Sequence, residues 1–192
     1  MPPSLLPPVL PVGALGGRPQ PVLPVDGLTL RPFVSEDARA LAQAYADPDI
    51  RRWHARSLTT VEAGDWILEQ QRRWVAETGA GWAVTEADTL IGRVGLRVLR
   101  PAEGEAEAAY WVLPDARGRG VASRALGAMT TWLFGQGLHR VSVVHSTSNE
   151  PSCRVARRAG FAAEGIARGA ALHTDGWHDM HVHARLRTDP SL

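Results

Sequence analysis

Apolar and polar positions follow the period of strands in some segments of the chain and the period of helices in others. Residues 28–33 alternate between apolar and polar, as on a half-buried strand. Residues 59–74 begin with a Thr-x-x-Glu start pattern and place Ile67, Gln70 and Trp74 on one helical face. The pattern predicts strands at residues 28–33, 82–85, 90–100, 105–113, 141–145, 165–171 and 179–187, and helices at residues 35–45, 59–74, 121–134 and 151–159.

The order of these elements indicates the fold class. Strands first alternate with helices, and the last two strands surround Asp175-Gly176 as a hairpin. A chain with this order folds as an α/β or α+β layer structure with a mixed sheet at its centre. Its 192 residues suit one domain of ordinary size with a substantial core.

Residues 1–26 differ in composition from the rest of the chain. They hold eight of the 14 prolines, which interrupt every apolar run and exclude a helix or a central strand. We therefore predict a flexible or polyproline-like arm at residues 1–26 and a single domain at residues 27–192. Arg18 is the first cation, so a signal peptide is not indicated, and no later run is apolar enough to span a membrane. The expected location is cytoplasmic.

Charge and composition narrow the classes of function. All 21 cationic side chains are arginine, and they nearly balance 20 acidic ones, so a nucleic-acid-binding face is not indicated. The missing lysines exclude Schiff-base chemistry and a P-loop. Cys153 is the single cysteine, which excludes an internal disulfide and a cysteine-based zinc ribbon. Residues 110–170 carry a net charge of +5 and residues 27–109 a net charge of −3, which favours an anionic ligand on the first part and a cationic amine on the second.

Residues 114–122 carry the clearest ligand-binding pattern. A strand runs into a turn with Gly118 and Gly120, and the turn opens directly into a helix. Glycines let the backbone approach a ligand closely, and a helix start presents unpaired N–H groups at the positive end of its dipole. The combination favours a phosphate or pyrophosphate, although its spacing is not that of a dinucleotide-binding or Walker loop. The alternative is a plain turn with two solvated arginines.

Residues 117–122, Arg-Gly-Arg-Gly-Val-Ala, match the R/Q-x-x-G-x-G/A loop that binds acetyl-CoA in the GNAT acetyltransferase superfamily. Residues 28–38 are similar to the opening strand and helix of that superfamily, and residues 107–112 to the strand before the loop. Residues 149–165 resemble its ribosomal-protein N-acetyltransferase branch, the RimJ/RimL type. The resemblance extends over about residues 28–188 and leaves out the arm.

The resemblance implies a fold and a reaction. The fold is a central mixed, mostly antiparallel twisted sheet with helices on both faces. The reaction is the transfer of an acetyl group from acetyl-CoA, the co-substrate, to a primary amine that attacks directly in a ternary complex, with the N-terminus of a ribosomal protein as one acceptor. The alternatives are a small-molecule amine, such as an aminoglycoside, polyamine or amino-acid analogue, and a non-catalytic acyl-CoA-binding module. We expect a monomer or homodimer with no nucleic-acid partner and no membrane partner.

The resemblance also assigns the coenzyme contacts. Backbone groups of residues 110–112 would hold pantetheine, and the amides of residues 118–123 would hold the pyrophosphate. Arg117 and Arg124 are candidates for phosphate contacts, and Arg119 either makes one or faces water. The predicted coenzyme-binding residues are Tyr110, Trp111, Val112, Arg117, Gly118, Arg119, Gly120, Val121, Ala122, Ser123 and Asn149.

Two residues are candidates for proton transfer. Ser152 stands where this branch has a hydroxyl near the sulfur, and the tyrosine that other branches place four residues later is Ala156 here. Ser152 is therefore the predicted general acid. The alternative is that its hydroxyl only bonds to nearby backbone groups in the first turn of the helix. Glu107 is the predicted general base, with an exposed strand carboxylate as the alternative. Asn149 contacts the coenzyme, caps the helix that follows, or does both.

The histidines near the end of the sequence raise the question of a metal site. His181 and His183 share one strand face, and His173 and His178 precede them. Further ligands do not stand at the spacing of a known site, and the resembled family needs no metal, so no metal is predicted. Cys153 is expected to pack as a small apolar residue.

Overall fold

The computed structural model describes residues 5–54 and 56–190. Over these residues the chain forms eight strands and five α-helices. The strands are β1 (Leu23–Val25), β2 (Leu28–Pro32), β3 (Ala80–Glu86), β4 (Thr89–Arg100), β5 (Glu105–Val112), β6 (Arg140–Ser146), β7 (Ala162–His173) and β8 (Gly176–Leu186). The helices are α1 (Ala38–Ala46), α2 (Pro48–His54), α3 (Thr60–Val75), α4 (Val121–Gly135) and α5 (Glu150–Arg158).

All eight strands belong to one sheet, in the order β1-β2-β3-β4-β5-β6-β8-β7. Neighbouring strands are antiparallel except for β5 and β6, which are parallel. The crossover that parallel neighbours require contains α4. The prediction of a mixed, mostly antiparallel sheet is confirmed.

The two faces of the sheet carry separate clusters of buried side chains. Trp82 and Val84 of β3 belong to the cluster that contains α4, whereas Ala83 belongs to the cluster of α1 and α3. The division follows from the period of two along a strand, which directs successive side chains to opposite faces. Helices therefore cover both faces, as predicted.

The start of α3 shows how local sequence sets an element boundary. The Glu62 amide donates to the Thr59 hydroxyl at 3.2 Å, and the Thr59 amide donates to the Glu62 carboxylate at 2.7 Å. This reciprocal pair is the capping box that the Thr-x-x-Glu pattern predicts. None of the helices in the two described ranges is both long enough and apolar enough to cross a membrane.

Helix α2 was not predicted from the sequence, in which Asp47-Pro48 only marks the end of α1. The Ile50 amide donates to the Asp47 carboxylate at 2.9 Å, and Pro48 occupies the first position of α2. The same two residues end one helix and begin the next, because proline is well tolerated at a first helical position, where its missing N–H costs nothing. This helix forms one wall of the candidate site.

The described part of the N-terminal segment, for which the sequence predicts a flexible or polyproline-like arm, packs against the domain. Leu15 is only 3% exposed. The Glu77 carboxylate accepts hydrogen bonds from the amides of Gly13, Leu15 and Gly16 at 2.7–2.9 Å. β1 adds an edge strand beside β2, a position that tolerates Pro24 because one side of an edge strand has no ladder to complete. Proline content alone could not reveal these contacts with a distant glutamate.

Candidate active site

Strands β5 and β6 pair over only part of their length. Their parallel register begins at Glu105 opposite Arg140 and ends at Ala108 opposite Val143. β5 nevertheless continues to Val112 and remains paired with β4 on its other side. Residues 109–112 therefore present backbone groups along an edge that β6 does not cover, and the sheet opens there.

A cleft of about 600 Å³ occupies this opening. Its walls are the end of β5, the glycine turn, and parts of α2, α4 and α5. Its volume lies in the range of cofactor and small-molecule sites. The predicted site residues that line it are Tyr110, Trp111, Val112, Arg117, Gly118, Gly120, Val121, Ala122, Ser123, Asn149 and Ser152.

Both glycines of the turn have a left-handed backbone conformation. Gly118 and Gly120 have φ angles of 75° and 72°, in the left-handed region that favours glycine. The first amide that bonds within α4 is that of Arg124, which donates to the Gly120 carbonyl. The amides of residues 121–123 precede it and belong to residues that line the cleft, so they remain available to an anionic ligand.

Arg117 is held by two carboxylates. Its guanidinium donates to Asp47 at 2.8 Å, to Asp49 at 2.7 Å and to the Val112 carbonyl at 3.1 Å. Partial burial opposes the ionisation of Asp47, yet hydrogen bonds from the Ile50 amide and from Arg117 hold the pKa of that carboxyl below its usual value. Arg117 therefore ties the glycine turn to the start of α2, and its charge is already compensated by the protein.

The other two arginines predicted to contact phosphates do not line the cleft. Arg119 pairs with Glu86 at the end of β3. Arg124 donates to a backbone carbonyl of the N-terminal segment at 2.7 Å. The arginines that line the cleft besides Arg117 are one helical turn apart on α5, at Arg154 and Arg158.

Tyr110, Asn149 and Ser152 meet where β5 approaches α5. The Ser152 amide donates to the Asn149 side chain at 3.1 Å, so Asn149 both caps α5 and lines the cleft. The Tyr110 hydroxyl lies 2.8 Å from the Ser152 hydroxyl and 3.1 Å from the Ser152 carbonyl. Burial raises the pKa of Tyr110 to about 12, so the phenol keeps its proton at neutral pH. The tyrosine side chain is a site feature that the sequence motifs did not predict.

Glu107 lies apart from this group. It stands opposite Ser142 in the paired part of β5, before the strands separate. Its carboxylate accepts hydrogen bonds from the Arg97 guanidinium at 2.7–2.8 Å and is not part of the cleft lining. The structure therefore does not bring the predicted base and the predicted acid together.

Helix α2 contributes Trp53 to the cleft lining, together with His54, which the sequence patterns did not single out. His54 places Nε2 3.2 Å from the Tyr110 carbonyl. Burial lowers the pKa of His54 to about 4, so its ring is neutral at pH 7. Trp53 packs edge-on against His173 and His178 of the last hairpin, with ring centroids 6.1 and 6.4 Å apart. The sequence contained one indication of α2, because Asp47-Pro48 suits the start of a helix as well as the end of one.

Similarity to known proteins decides the family. The model of the acetyltransferase (GNAT) domain family matches residues 27–162. The chain belongs to the GNAT acetyltransferase family. This GNAT chain is also 27% identical over 174 residues to the uncharacterized N-acetyltransferase YoaA of Bacillus subtilis, across 87% of this chain and 97% of that protein. It is accordingly an acetyl-CoA-dependent N-acetyltransferase, as the loop motif predicts.

Solved structures share the GNAT fold. One is RimL, the ribosomal L7/L12 alpha-N-protein acetyltransferase, in complex with coenzyme A, with a TM-score of 0.80 and 21% identity over 86% of this chain and 98% of RimL. A second is the microcin C7 self-immunity acetyltransferase MccE in complex with acetyl-CoA and AMP, with a TM-score of 0.77 and 18% identity over 84% of this chain and 93% of MccE. A third is the ribosomal-protein-S5-alanine acetyltransferase of Vibrio fischeri, with a TM-score of 0.79 and 20% identity over 90% of this chain and 100% of that one. At these identities the likeness establishes the fold.

Proposed function

We propose that this GNAT enzyme acetylates the α-amino group of a protein or peptide, of the ribosomal-protein type, by direct attack of the amine on acetyl-CoA. The observation that carries the proposal is the position of Ser152, which lines the cleft with the Tyr110 hydroxyl 2.8 Å from its own. A hydroxyl at this point can return a proton to a thiolate that forms beside the open edge of β5. The likeness to RimL and to the ribosomal-protein-S5-alanine acetyltransferase supports the choice of acceptor.

Different parts of the cleft suit different parts of coenzyme A. The edge at residues 109–112 that β6 does not cover offers backbone N–H groups to pantetheine, whereas its Tyr110 and Val112 carbonyls already contact His54 and Arg117. The glycine turn and the amides of residues 121–123 suit the pyrophosphate. Arg154 and Arg158 add positive charge along the same cleft. Arg117 supports this arrangement by holding the turn against α2.

The proposed reaction forms one C–N bond and breaks one C–S bond. The neutral amine attacks the thioester carbonyl, and a backbone N–H on the open edge of β5 stabilises the oxyanion. As the C–S bond breaks, the Ser152 hydroxyl gives its proton to sulfur and is reprotonated through Tyr110 and water. The nitrogen releases its extra proton to water, so the products are an N-acetylated amine and coenzyme A.

The distance between Glu107 and the cleft favours an acceptor that arrives already neutral. α-Amino groups have pKa values of about 7.7–8.0, whereas a lysine side chain has a pKa of about 10.4. Near pH 8 an N-terminus is therefore largely neutral without a dedicated base, while a lysine is not. This difference supports an N-terminal amine as the acceptor.

A groove on the other side of α2 supports an acidic acceptor peptide. It has a volume of about 450 Å³ and is lined by Arg51, Arg52 and Arg56 among other residues. Trp53 and His54 of the same helix line the cleft, so one short helix separates the two spaces. Carboxylates that follow the N-terminal residue of an acceptor would complement Arg51 and Arg56, whereas Arg52 already pairs with Asp175 at 3.3 Å. The groove is thus basic, in contrast to the net acidic charge of residues 27–109.

Thiol release from acetyl-CoA tests the proposed function. The acceptors are peptides with free N-termini followed by acidic or by basic residues, the same peptides blocked at the N-terminus, and small amines such as a polyamine and an aminoglycoside. Because the chain has no lysine, acetylation of the enzyme on a side-chain amine does not contribute. Free peptides with acidic residues should give the highest kcat/KM, and blocked peptides none.

The other outcomes separate the alternatives. Faster turnover of a small amine than of every peptide would replace the proposed acceptor with a small molecule. Coenzyme binding without thiol release from any amine would assign a non-catalytic acyl-CoA-binding role. Equal rates with acidic and basic peptides would remove the arginine groove from acceptor recognition and leave the N-terminal acceptor in place.

A further inference from the structure

Four side chains of the kinds that bind metals meet beneath α5, outside the lining of the cleft. They are His145 on β6, His181 and His183 on β8, and Cys153 on α5. His145 and His181 stand directly opposite each other in the β6–β8 pair, and His183 follows on the same face. One ligand atom from each residue lies within 4.8 Å of the others.

The three imidazole rings pack against one another. The rings of His145 and His183 are stacked, with centroids 5.2 Å apart and planes at 18°. The ring of His181 is tilted against that of His183 at 4.6 Å, and the Cys153 Sγ lies 4.0 Å from His181 Nδ1. The cluster therefore joins both strands and the helix at one point.

Several nitrogens in this cluster have no hydrogen-bond partner. His183 is completely buried; its ring interacts weakly with the Phe161 backbone, and neither ring nitrogen has a partner among the described residues at good hydrogen-bond geometry. His145 donates its Nδ1–H to the Ser146 carbonyl at 2.8 Å, which leaves Nε2 as the lone-pair nitrogen, and this atom is also buried and unpartnered. Buried polar atoms are nearly always paired, so these nitrogens indicate that a ligand belongs between them.

The tautomer of His145 suits a metal in particular. Histidines that bind metals commonly donate their second ring nitrogen to a backbone carbonyl, which orients the ring and leaves the other nitrogen facing the ion.

We propose that His145, His181, His183 and Cys153 together bind one divalent transition metal ion of the zinc type, with three nitrogen ligands and one sulfur ligand. Imidazole and thiolate are the donors that zinc prefers in tetrahedral sites. Bonds of about 2.0–2.3 Å place the ligand atoms of a tetrahedron about 3.3–3.6 Å apart. The side chains therefore have to close by about 1 Å from separations of at most 4.8 Å, which side-chain rotation can supply.

A metal at this position would act next to the candidate acid. Cys153 follows Ser152 in the first turn of α5. The ion would join α5 to β6 and β8 and so hold the turn that carries the Ser152 hydroxyl. The binding proposal stands on the cluster alone and does not depend on acetyl transfer.

Cobalt(II) is the probe for the geometry, because it takes the place of zinc and its spectrum reports on its ligands. Titration of the reduced, metal-free protein should saturate at a single equivalent, with tetrahedral d–d bands and a thiolate-to-cobalt charge-transfer band. Cys153→Ala should lose the charge-transfer band, and His181→Ala should weaken binding by more than about tenfold. His139→Ala, at an exposed histidine outside the cluster, is the matched control and should bind as the wild type does.

Thiol alkylation gives a second, independent readout, because Cys153 is the only cysteine in the chain. Saturating Zn²⁺ should slow its alkylation by more than about tenfold in the wild type, since a metal-bound thiolate is a poor nucleophile. The same Zn²⁺ concentration should have little effect in His181→Ala. Cys153 and His181 are both partly exposed, so these variants are expected to fold, and thermal unfolding checks this. Absence of the charge-transfer band, an unchanged alkylation rate, or wild-type affinity in His181→Ala would overturn the proposal.

Discussion

The hydroxyl oxygens of Tyr110 and Ser152 lie 2.8 Å apart, one carried by the open end of β5 and the other by the first turn of α5. The phenol is partly buried and keeps its proton, because burial raises the pKa of Tyr110 to about 12. Ser152 lines the cleft. Tyr110 is therefore suited to position and reprotonate Ser152, beyond the backbone role that its strand position predicts.

Ser152→Ala should lower kcat by more than about tenfold and leave the Kd for coenzyme A unchanged, because only the proton donor is lost. Tyr110→Phe should lower kcat by a smaller factor with an unchanged KM for acetyl-CoA, since Ser152 remains but loses its partner. Steady-state kinetics and coenzyme titration measure both effects. Wild-type kcat in Ser152→Ala would remove this residue from the mechanism, and thermal unfolding of Tyr110→Phe separates loss of position from loss of structure.

Gly120→Glu should abolish coenzyme binding, because it places bulk and negative charge where the pyrophosphate is expected. Gly120→Ala should weaken binding less, because its cost is the left-handed φ of 72° and no atom lies closer than 3.8 Å to the added Cβ. Gly127→Ala, within α4 and with no atom within 4 Å of the new Cβ, is the matched control. Calorimetric titration with coenzyme A makes the comparison, and retained affinity in Gly120→Glu would show that the turn does not hold the phosphates.

Arg117→Gln and Asp49→Asn should each raise the Kd for coenzyme A severalfold and to a similar extent. Both substitutions loosen the glycine turn from α2, although only one of them removes a positive charge. Glu86→Gln, which breaks the exposed pair with Arg119, is the control. If Asp49→Asn instead tightened coenzyme binding, Arg117 would be a phosphate contact that Asp49 competes for.

Glu77→Ala should lower the free energy of unfolding by about 2–4 kcal/mol, because it leaves the amides of Gly13, Leu15 and Gly16 without their acceptor. Glu69→Ala, on the exposed face of α3, should change it by less than about 0.5 kcal/mol. Urea unfolding monitored by tryptophan fluorescence measures both. A loss in Glu77→Ala no larger than that in Glu69→Ala would mean that the N-terminal segment contributes little to stability.

The free energy of unfolding should fall as the pH decreases from about 6.5 toward 4. Burial, and after it the charges of Arg93 and Arg56, lower the pKa of His54 from 6.5 to about 4, so the unfolded chain takes up this proton first. The stability that depends on a neutral His54 is fully present above pH 6.5, the pKa of the ring in the unfolded chain, and is lost as the pH falls toward 4, its pKa in the folded protein. The Tyr45 ring, whose centroid is 6.2 Å from that of His54, and the Tyr110 carbonyl complete the surroundings. His54→Gln should show a shallower loss over this range in urea titrations, and an identical slope would contradict the assignment.

The features predicted correctly from the sequence depend on residues that are close in the chain. The capping box of Thr59 and Glu62 and the turn at Gly118 and Gly120 that opens into α4 each depend on a few neighbouring residues. The loop motif identified the family for the same reason, because a phosphate-binding turn is encoded within six residues. Asp47-Pro48 shows the limit of local information, since it suits a helix end and a helix start equally well.

The sequence by itself determined the order of the elements apart from β1 and α2, the family, and the turn that suits a pyrophosphate, because hydrogen bonds within a turn or a helix start involve residues only a few positions apart. Only the tertiary structure decided that Glu77 holds the N-terminal segment, that Tyr110 meets Ser152, and that Glu107 lies before the opening of the sheet. The same is true of the histidine and cysteine cluster beneath α5. These relationships depend on strand register and on the packing of α5 against the sheet, and residues distant in the chain come together only once the whole domain has folded.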